Sequence, residues 1–173
     1  MTTDTALSTV PKPIDVGPEM TALWRFFPDV MWKGEIHEGG MGPGTPMMAG
    51  IGHGSARPLQ DGRWIAGDYE QDQFTLDGTY VLTWKLHWVC GWSPETNDYR
   101  ASMVDNYGHA MVCRGRIDGD ALIFESLDGA EARLRFTWDA SSPDAIVWRN
   151  EMALPDGQWF LVEEYPMVPV VHG

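Results

Sequence analysis

Basic residues are scarce in this chain. Its 173 residues carry 12 Lys and Arg against 25 Asp and Glu, a formal net charge of −13. Such a surface repels polyanions, so nucleic acid is not expected as a partner, and anionic membrane surfaces are disfavoured for the same reason. Cysteine is nearly absent: Cys90 and Cys113 are the only two, and no CxxC or Cys/His cluster suggests zinc. Both fall on apolar strand faces, as buried reduced thiols of a cytoplasmic protein would; a disulfide requires their strands to be neighbours. No apolar stretch approaches the ~20 residues that span a bilayer. Met1 to Val16 lacks the basic and apolar regions of a secretion signal, and we expect a cytoplasmic protein.

Signature motifs of catalysis are missing too. The chain has no Gly-x-Ser-x-Gly elbow, no dinucleotide fingerprint, no His-x-His and no His-Glu-x-x-His. The glycines of Gly39 to Gly44 are interrupted by Pro43 and lead into no helix, which argues against a phosphate cradle. Any enzyme here is expected to work without a cofactor.

What is present is β-pattern and tryptophan. The run Tyr80 to Trp92 alternates strictly, with Tyr, Leu, Trp, Leu, Trp, Cys and Trp on its even positions. Period-two alternation of this length fits a strongly curved sheet or barrel. Residues 1–17 read as a flexible lead-in broken by Pro11 and Pro13. Residues 18–27 are the best helix, with Pro18 in the first turn and Met20, Leu23, Trp24 and Phe27 on one face. Such a helix would close one end of a barrel. Strands are expected at 30–37, 47–58, 63–73, 79–92, 98–117, 120–126, 131–139, 144–153 and 158–166. Asp61-Gly62, Asp77-Gly78, Asp118-Gly119, Asp128-Gly129 and Asp156-Gly157 mark hairpins between them. Eight to ten antiparallel strands in series leave two edges, and closure removes both. Residues 18–173 are therefore read as one all-β, antiparallel, lipocalin-like (calycin-type) barrel of about 8–10 strands with a short N-terminal helix.

An ordered series of residues carries a family resemblance. It runs Trp32-x-Gly34, the glycine strand Gly50 to Gly54, Asp61-Gly62-Arg63-Trp64, Asp68-Tyr69-Glu70, Trp88-x-x-Gly91-Trp92, Val104-Asp105-x-x-Gly108, Trp148-x-x-Glu151 and Asp156-Gly157-x-Trp159. Over residues 22–166 the chain resembles the small bacterial proteins of domain-of-unknown-function family 1579. The resemblance implies a lipocalin-like barrel and no particular activity. It departs from the family at Phe26 to Val30, where relatives often show a Gly-Thr-Trp type of opening. The nitrobindin-type haem barrel also opens with Trp-x-Gly, but haem there needs an axial His late in the chain, and here the only late one is His172.

The candidate chemistry lies on the strand from Tyr99. Its inward face would read Tyr99, Ala101, Met103, Asp105, Tyr107, His109, so that Asp105, Tyr107 and His109 form one polar cluster. One reading is an acid–base site, with His109 as base or acid, Asp105 orienting it and Tyr107 donating to a developing oxyanion. The other is a satisfied hydrogen-bond network with Asp105 to Gly108 as a turn, which would break the shared face. His53, among glycines, and His37, beside the Gly/Pro loop, are secondary candidates. Trp84, Trp88, Met103, Trp138 and Trp148, with Tyr69 and Glu163, are expected to line the lumen and hold a mostly apolar or aromatic small molecule. Glu163 is in phase with Trp159 and Leu161, and is expected to point inward. The Met-flanked loop Gly39 to Pro46 suits a lid. The expected function is therefore a cofactor-independent isomerase, lyase or cyclase. The alternatives are a non-catalytic binding protein for a hydrophobic metabolite and, more weakly, a haem or metal barrel. Small barrels commonly pair across a side, which suggests a homodimer.

Overall fold

A computed structural model describes residues 15–127 and 133–170. The expected lead-in up to residue 14, the Asp128-Gly129 turn, the first residues of the strand expected from 131, and His172 lie outside the described residues. One helix, α1 (Pro18–Trp24), precedes ten strands: β1 (Val30–Ile36), β2 (Met48–Leu59), β3 (Trp64–Thr75), β4 (Tyr80–Ser93), β5 (Asp98–Asp105), β6 (Ala110–Asp118), β7 (Ala121–Ser126), β8 (Leu134–Asp139), β9 (Ile146–Ala153) and β10 (Trp159–Pro169). Each strand pairs antiparallel with the next, and β1 pairs with β10 to close the barrel.

The Asp-Gly signals work by backbone conformation. Gly62, Gly78, Gly119 and Gly157 all have positive φ, which L side chains resist. The expected single strand 98–117 is two strands. Gly108 has φ +90, and residues 106–109 form a hairpin turn between β5 and β6.

α1 closes one end of the barrel. Met20 and Leu23 are buried, and the Tyr99 hydroxyl donates to the Glu19 carbonyl at 2.9 Å. The helix stops at Trp24, because Phe26 and Phe27 bond back to Leu23 and Trp24 in tighter turns and Pro28 blocks continuation. This kink sends Phe27 into the lumen, its ring 4.3 Å from that of Trp88 and 5.6 Å from that of Trp138.

Alternate glycines make room for the large rings. Gly50, Gly52 and Gly54 all face inward on β2, and Gly34 does the same on β1. A Cβ at Gly52 would meet the Trp32 ring, at Gly54 the Tyr69 ring, at Gly34 the Tyr165 ring, and at Gly50 the Gln71 amide. The close approach at the β2 glycines is thus made by side chains from β1 and β3, and that at Gly34 by one from β10. Gly67 is covered in the same way by Trp88, and Gly115 by Phe124. The core is consequently a packed aromatic interior, with Phe136, Trp148, Tyr165 and Trp32 stacked in series around the wall.

Cys90 and Cys113 are buried and unpaired. Both lie in register with Ala101 of the strand between them, so two inter-strand steps, about 9–10 Å, separate their backbones, too far for a disulfide. Burial raises both thiol pKa values, Cys113 to about 12.

Candidate active site at the barrel mouth

The end of the barrel opposite α1 is polar inside. On β3 the inward parity that buries Ile65 and Tyr69 continues to Gln71 and Gln73, both buried. On β9 the parity of Ile146 and Trp148 continues to Asn150, and on β10 that of Met167 and Tyr165 continues to Glu163. A bulge between Leu161 and Glu163 shifts the register, so that Val162 and Glu163 are buried side by side.

These groups form one chain of hydrogen bonds. Gln73 Nε2 donates to Gln71 Oε1 at 3.2 Å. Gln71 Nε2 donates to Tyr165 Oη at 2.5 Å and reaches Glu163 Oε2 at 3.5 Å. Asn150 Nδ2 donates to the other carboxyl oxygen of Glu163 at 3.4 Å. The bonds to Glu163 are long, and among the described residues it is in no ion pair. Glu163 is 4% exposed. Burial pushes its pKa up to about 7, against the weaker downward pull of Asn150 and Gln71. Two acceptors of this cluster, Gln73 Oε1 and Asn150 Oδ1, are buried without a partner among the described residues.

The loop between β1 and β2 lies over this end. The His37 amide donates to the Val162 carbonyl at 2.8 Å, beside the bulge, and Met41 Sδ sits 4.0 Å from Gln73 Nε2. Gly39, Gly42 and Gly44 have positive φ, and Thr45 Oγ1 donates to the Gly42 carbonyl at 2.8 Å.

The Asp105 and His109 pair sits on another part of the same rim. His109 Nδ1 and Asp105 Oδ2 are 2.8 Å apart, the Trp84 indole donates to Asp105 at 3.3 Å, and the backbone amides of Tyr107 and His109 cap the other carboxyl oxygen at 2.9 Å. Burial opposes ionisation of Asp105, but these hydrogen bonds, His109 foremost, hold its pKa below the usual value. The Tyr107 side chain does not join them. It is 51% exposed at the tip of the turn, because the hairpin breaks the period that would have placed it inside. The expected three-residue cluster is thus a two-residue pair that caps its own turn.

The other expected site residues separate clearly. Tyr69, Trp88, Met103, Trp138 and Trp148 are buried core side chains. Tyr69 Oη accepts from the Trp138 indole at 3.1 Å, and burial raises its pKa. Trp84 is half-buried at the rim. His53 lies on the outer wall, paired in register with Glu70. His37 is half-buried at the base of the loop. Outside the barrel, a groove of about 360 Å³ runs past His53, Ser55, Asp68, Lys85 and His87. It is lined by exposed cross-strand pairs, Asp68 with His87 at 2.7 Å and Glu70 with Lys85 at 2.8 Å. Among the described residues, no group of three or more His, Cys, Asp and Glu side chains is placed to hold a metal ion.

Sequence reasoning identified Glu163 and missed Gln71, Gln73, Asn150 and Tyr165. The signal was parity: Gln71, Asn150 and Tyr165 each lie two residues from, and in phase with, Tyr69, Trp148 and Glu163, and Gln73 lies two beyond Gln71.

A family model described as "Protein of unknown function (DUF1579)" matches residues 31–165. The chain belongs to this family. The match runs from β1 to Tyr165 and so contains every member of the mouth cluster. Among solved structures, the crystal structure of Rv2717c from M. tuberculosis is similar, with a TM-score of 0.55 and 11% identity, covering 91% of this chain and 100% of that one. At this identity the similarity speaks for the DUF1579 barrel as a fold and for nothing finer. A search of curated proteins returns no match. No helix among the described residues is long and apolar enough to cross a membrane.

Proposed function

We propose that this protein is a cofactor-independent enzyme of the isomerase, lyase or cyclase type, which takes a mostly apolar or aromatic small molecule at the barrel mouth and moves a proton through Glu163. The observation that carries the reading is the buried carboxyl of Glu163, set among neutral amides with no compensating cation among the described residues. A carboxyl that titrates near neutrality can both give and take a proton at physiological pH. Gln71, itself bound to Tyr165 Oη, and Asn150 fix the carboxyl from two sides. The Trp148 and Tyr165 rings form a rigid apolar floor. The loop carrying Met41 acts as the lid, since access to Glu163 requires it to lift from Val162 and Gln73. Asp105 and His109 offer a second acid–base pair at the rim. The two buried unpaired thiols suit a reducing, cytoplasmic setting.

The test is incubation of the protein with a small-molecule extract of its source cells, followed by chromatography and mass spectrometry. A compound consumed by the native protein but not by Glu163→Gln supports the enzyme. A compound retained but unconverted by both proteins would replace that reading with the binding protein. The packed aromatic column favours this second reading, because a rigid floor holds a ligand as readily as it orients a reaction.

A further inference from the structure

The hydrogen-bonding inventory of the mouth is lopsided. Each of the three side-chain amides donates within the cluster: Gln73 to Gln71, Gln71 to Tyr165 and Glu163, Asn150 to Glu163, and Gln73 also reaches Met41 Sδ of the loop. Among the amides and the carboxyl, three acceptors remain in excess, namely the weakly bonded carboxyl of Glu163, Gln73 Oε1 and Asn150 Oδ1, while the one orphaned donor beside them, the Trp148 indole, lies a step deeper on β9. Gln73 is 2% exposed, so bulk water does not satisfy it. A buried acceptor without a donor keeps the full penalty of its lost hydration. The natural complement is a group that carries donors only.

A primary ammonium has that character: three N–H donors, no acceptor, and the positive charge that Glu163 lacks. The charged side chains on the strands around Glu163 do not compete. Lys33 and Glu35 on β1, Glu70 and Asp72 on β3, and Arg149 and Glu151 on β9 have the outward parity. Arg149 pairs there with Glu164, and Glu151 with Arg135. Along the adjoining backbone the titratable groups are Glu164 and Tyr165, on its own strand, and His37, one residue beyond its register partner Ile36. The stacked rings of Trp148 and Tyr165 lie one inward step deeper on the same two strands, where an aryl or alkyl body and the cation both find favourable contact. The net charge of −13 raises the local concentration of cations.

We propose that the mouth is an amine site, in which the ammonium of a small aryl- or alkylamine pairs with Glu163 and donates to Gln73 Oε1 and Asn150 Oδ1. This rests on the reading of the mouth as the substrate site. It also gives Glu163 a defined task. Transfer of one proton from the ammonium nitrogen to a Glu163 carboxyl oxygen leaves a neutral carboxylic acid and a neutral amine, and the lone pair so freed is a nucleophile in a site closed by the lid.

The experiment is titration of the full chain with benzylamine and its neutral counterpart benzyl alcohol at about pH 7.5, read by tryptophan fluorescence and calorimetry. Benzylamine is expected to bind roughly tenfold tighter or better, a gap of about 1.4 kcal/mol. Glu163→Gln should remove that gap while leaving benzyl alcohol affinity within about threefold. In calorimetry at about pH 6.5, benzylamine binding should release protons, because Glu163 must ionise to form the pair. Equal affinity for the two probes overturns the amine assignment and leaves the mouth as a small-molecule site. Benzylamine binding that is unchanged in Glu163→Gln places the amine elsewhere and also overturns it. No response to either probe overturns both the amine assignment and the mouth as a site.

Discussion

Trp148 and Tyr165 stack across β9 and β10 with ring centroids 5.4 Å apart and planes at 12°, and the next inward pair on the same two strands is Asn150 and Glu163. The apolar pair is the foundation of the polar one. It fixes the two strands at a tight ring spacing and seals Glu163 from water on the side facing the core.

The pH dependence of stability should show Glu163. Its folded pKa of about 7 lies above its free value of 4.5, so the folded state keeps the proton where the unfolded chain has lost it. This contribution is fully present below about pH 4.5 and is lost as pH rises through about 7, in total roughly 3 kcal/mol. Glu163→Gln should therefore melt like the native protein at about pH 4.5 and above it at about pH 8. Denaturant titrations at the two pH values measure the difference. A native protein no less stable at the higher pH relative to the variant would show that Glu163 ionises freely.

The hairpin cap makes a separate prediction. Asp105 accepts from two backbone amides, His109 and the Trp84 indole. Asp105→Ala should destabilise the fold by about 1–3 kcal/mol by orphaning these donors. His109→Ala, at an exposed position, should cost under about 0.5 kcal/mol. Because the Asp105 pKa lies below the usual value, its contribution is present above that value and is lost as acid protonates it. Chemical denaturation of the two variants separates them. Equal losses would mean that the imidazole, rather than the turn, is the stabilising partner.

Gly67→Ala tests the ring-over-glycine packing. A methyl at Gly67 falls within the Trp88 ring, which is itself held by Phe27 and Tyr69. Overpacking of this kind typically costs about 1–3 kcal/mol. A drop in melting temperature together with altered Trp near-UV dichroism is expected. Gly78→Ala, with open space around it, should act only through its positive φ and leave the dichroism unchanged.

Both thiols should resist modification in the native state. Cys90 and Cys113 face the core, and their raised pKa values suppress the reactive thiolate. Ellman's reagent should label neither until denaturant is added. Rapid native labelling of either would show that the wall of β4 to β6 opens locally.

Much of this was legible in the chain itself. Alternation in Tyr80 to Trp92, the Asp-Gly turns and the glycine strand specify long antiparallel strands with one aromatic face, since strand parity and positive φ are local properties. The same parity put the ring of tryptophans inside, but Glu163 is inside only because the bulge after Leu161 breaks its phase with Trp159 and Leu161, which share the outward face with Glu151. The turn at residues 106–109 was harder to read, because Asn106 to His109 continues the alternation on paper while Gly108 folds the backbone back. Only the tertiary structure decided what the inward faces do. Closure through β1 and β10 brings Gln71 of β3 across two glycine-bearing strands to Tyr165 and Glu163, residues more than 90 positions away in sequence. The shift in the Glu163 pKa, the orphaned acceptors and the filling of the lumen arise from that convergence. Burial and hydrogen-bond partnership belong to the assembled barrel, and no local stretch of sequence encodes them.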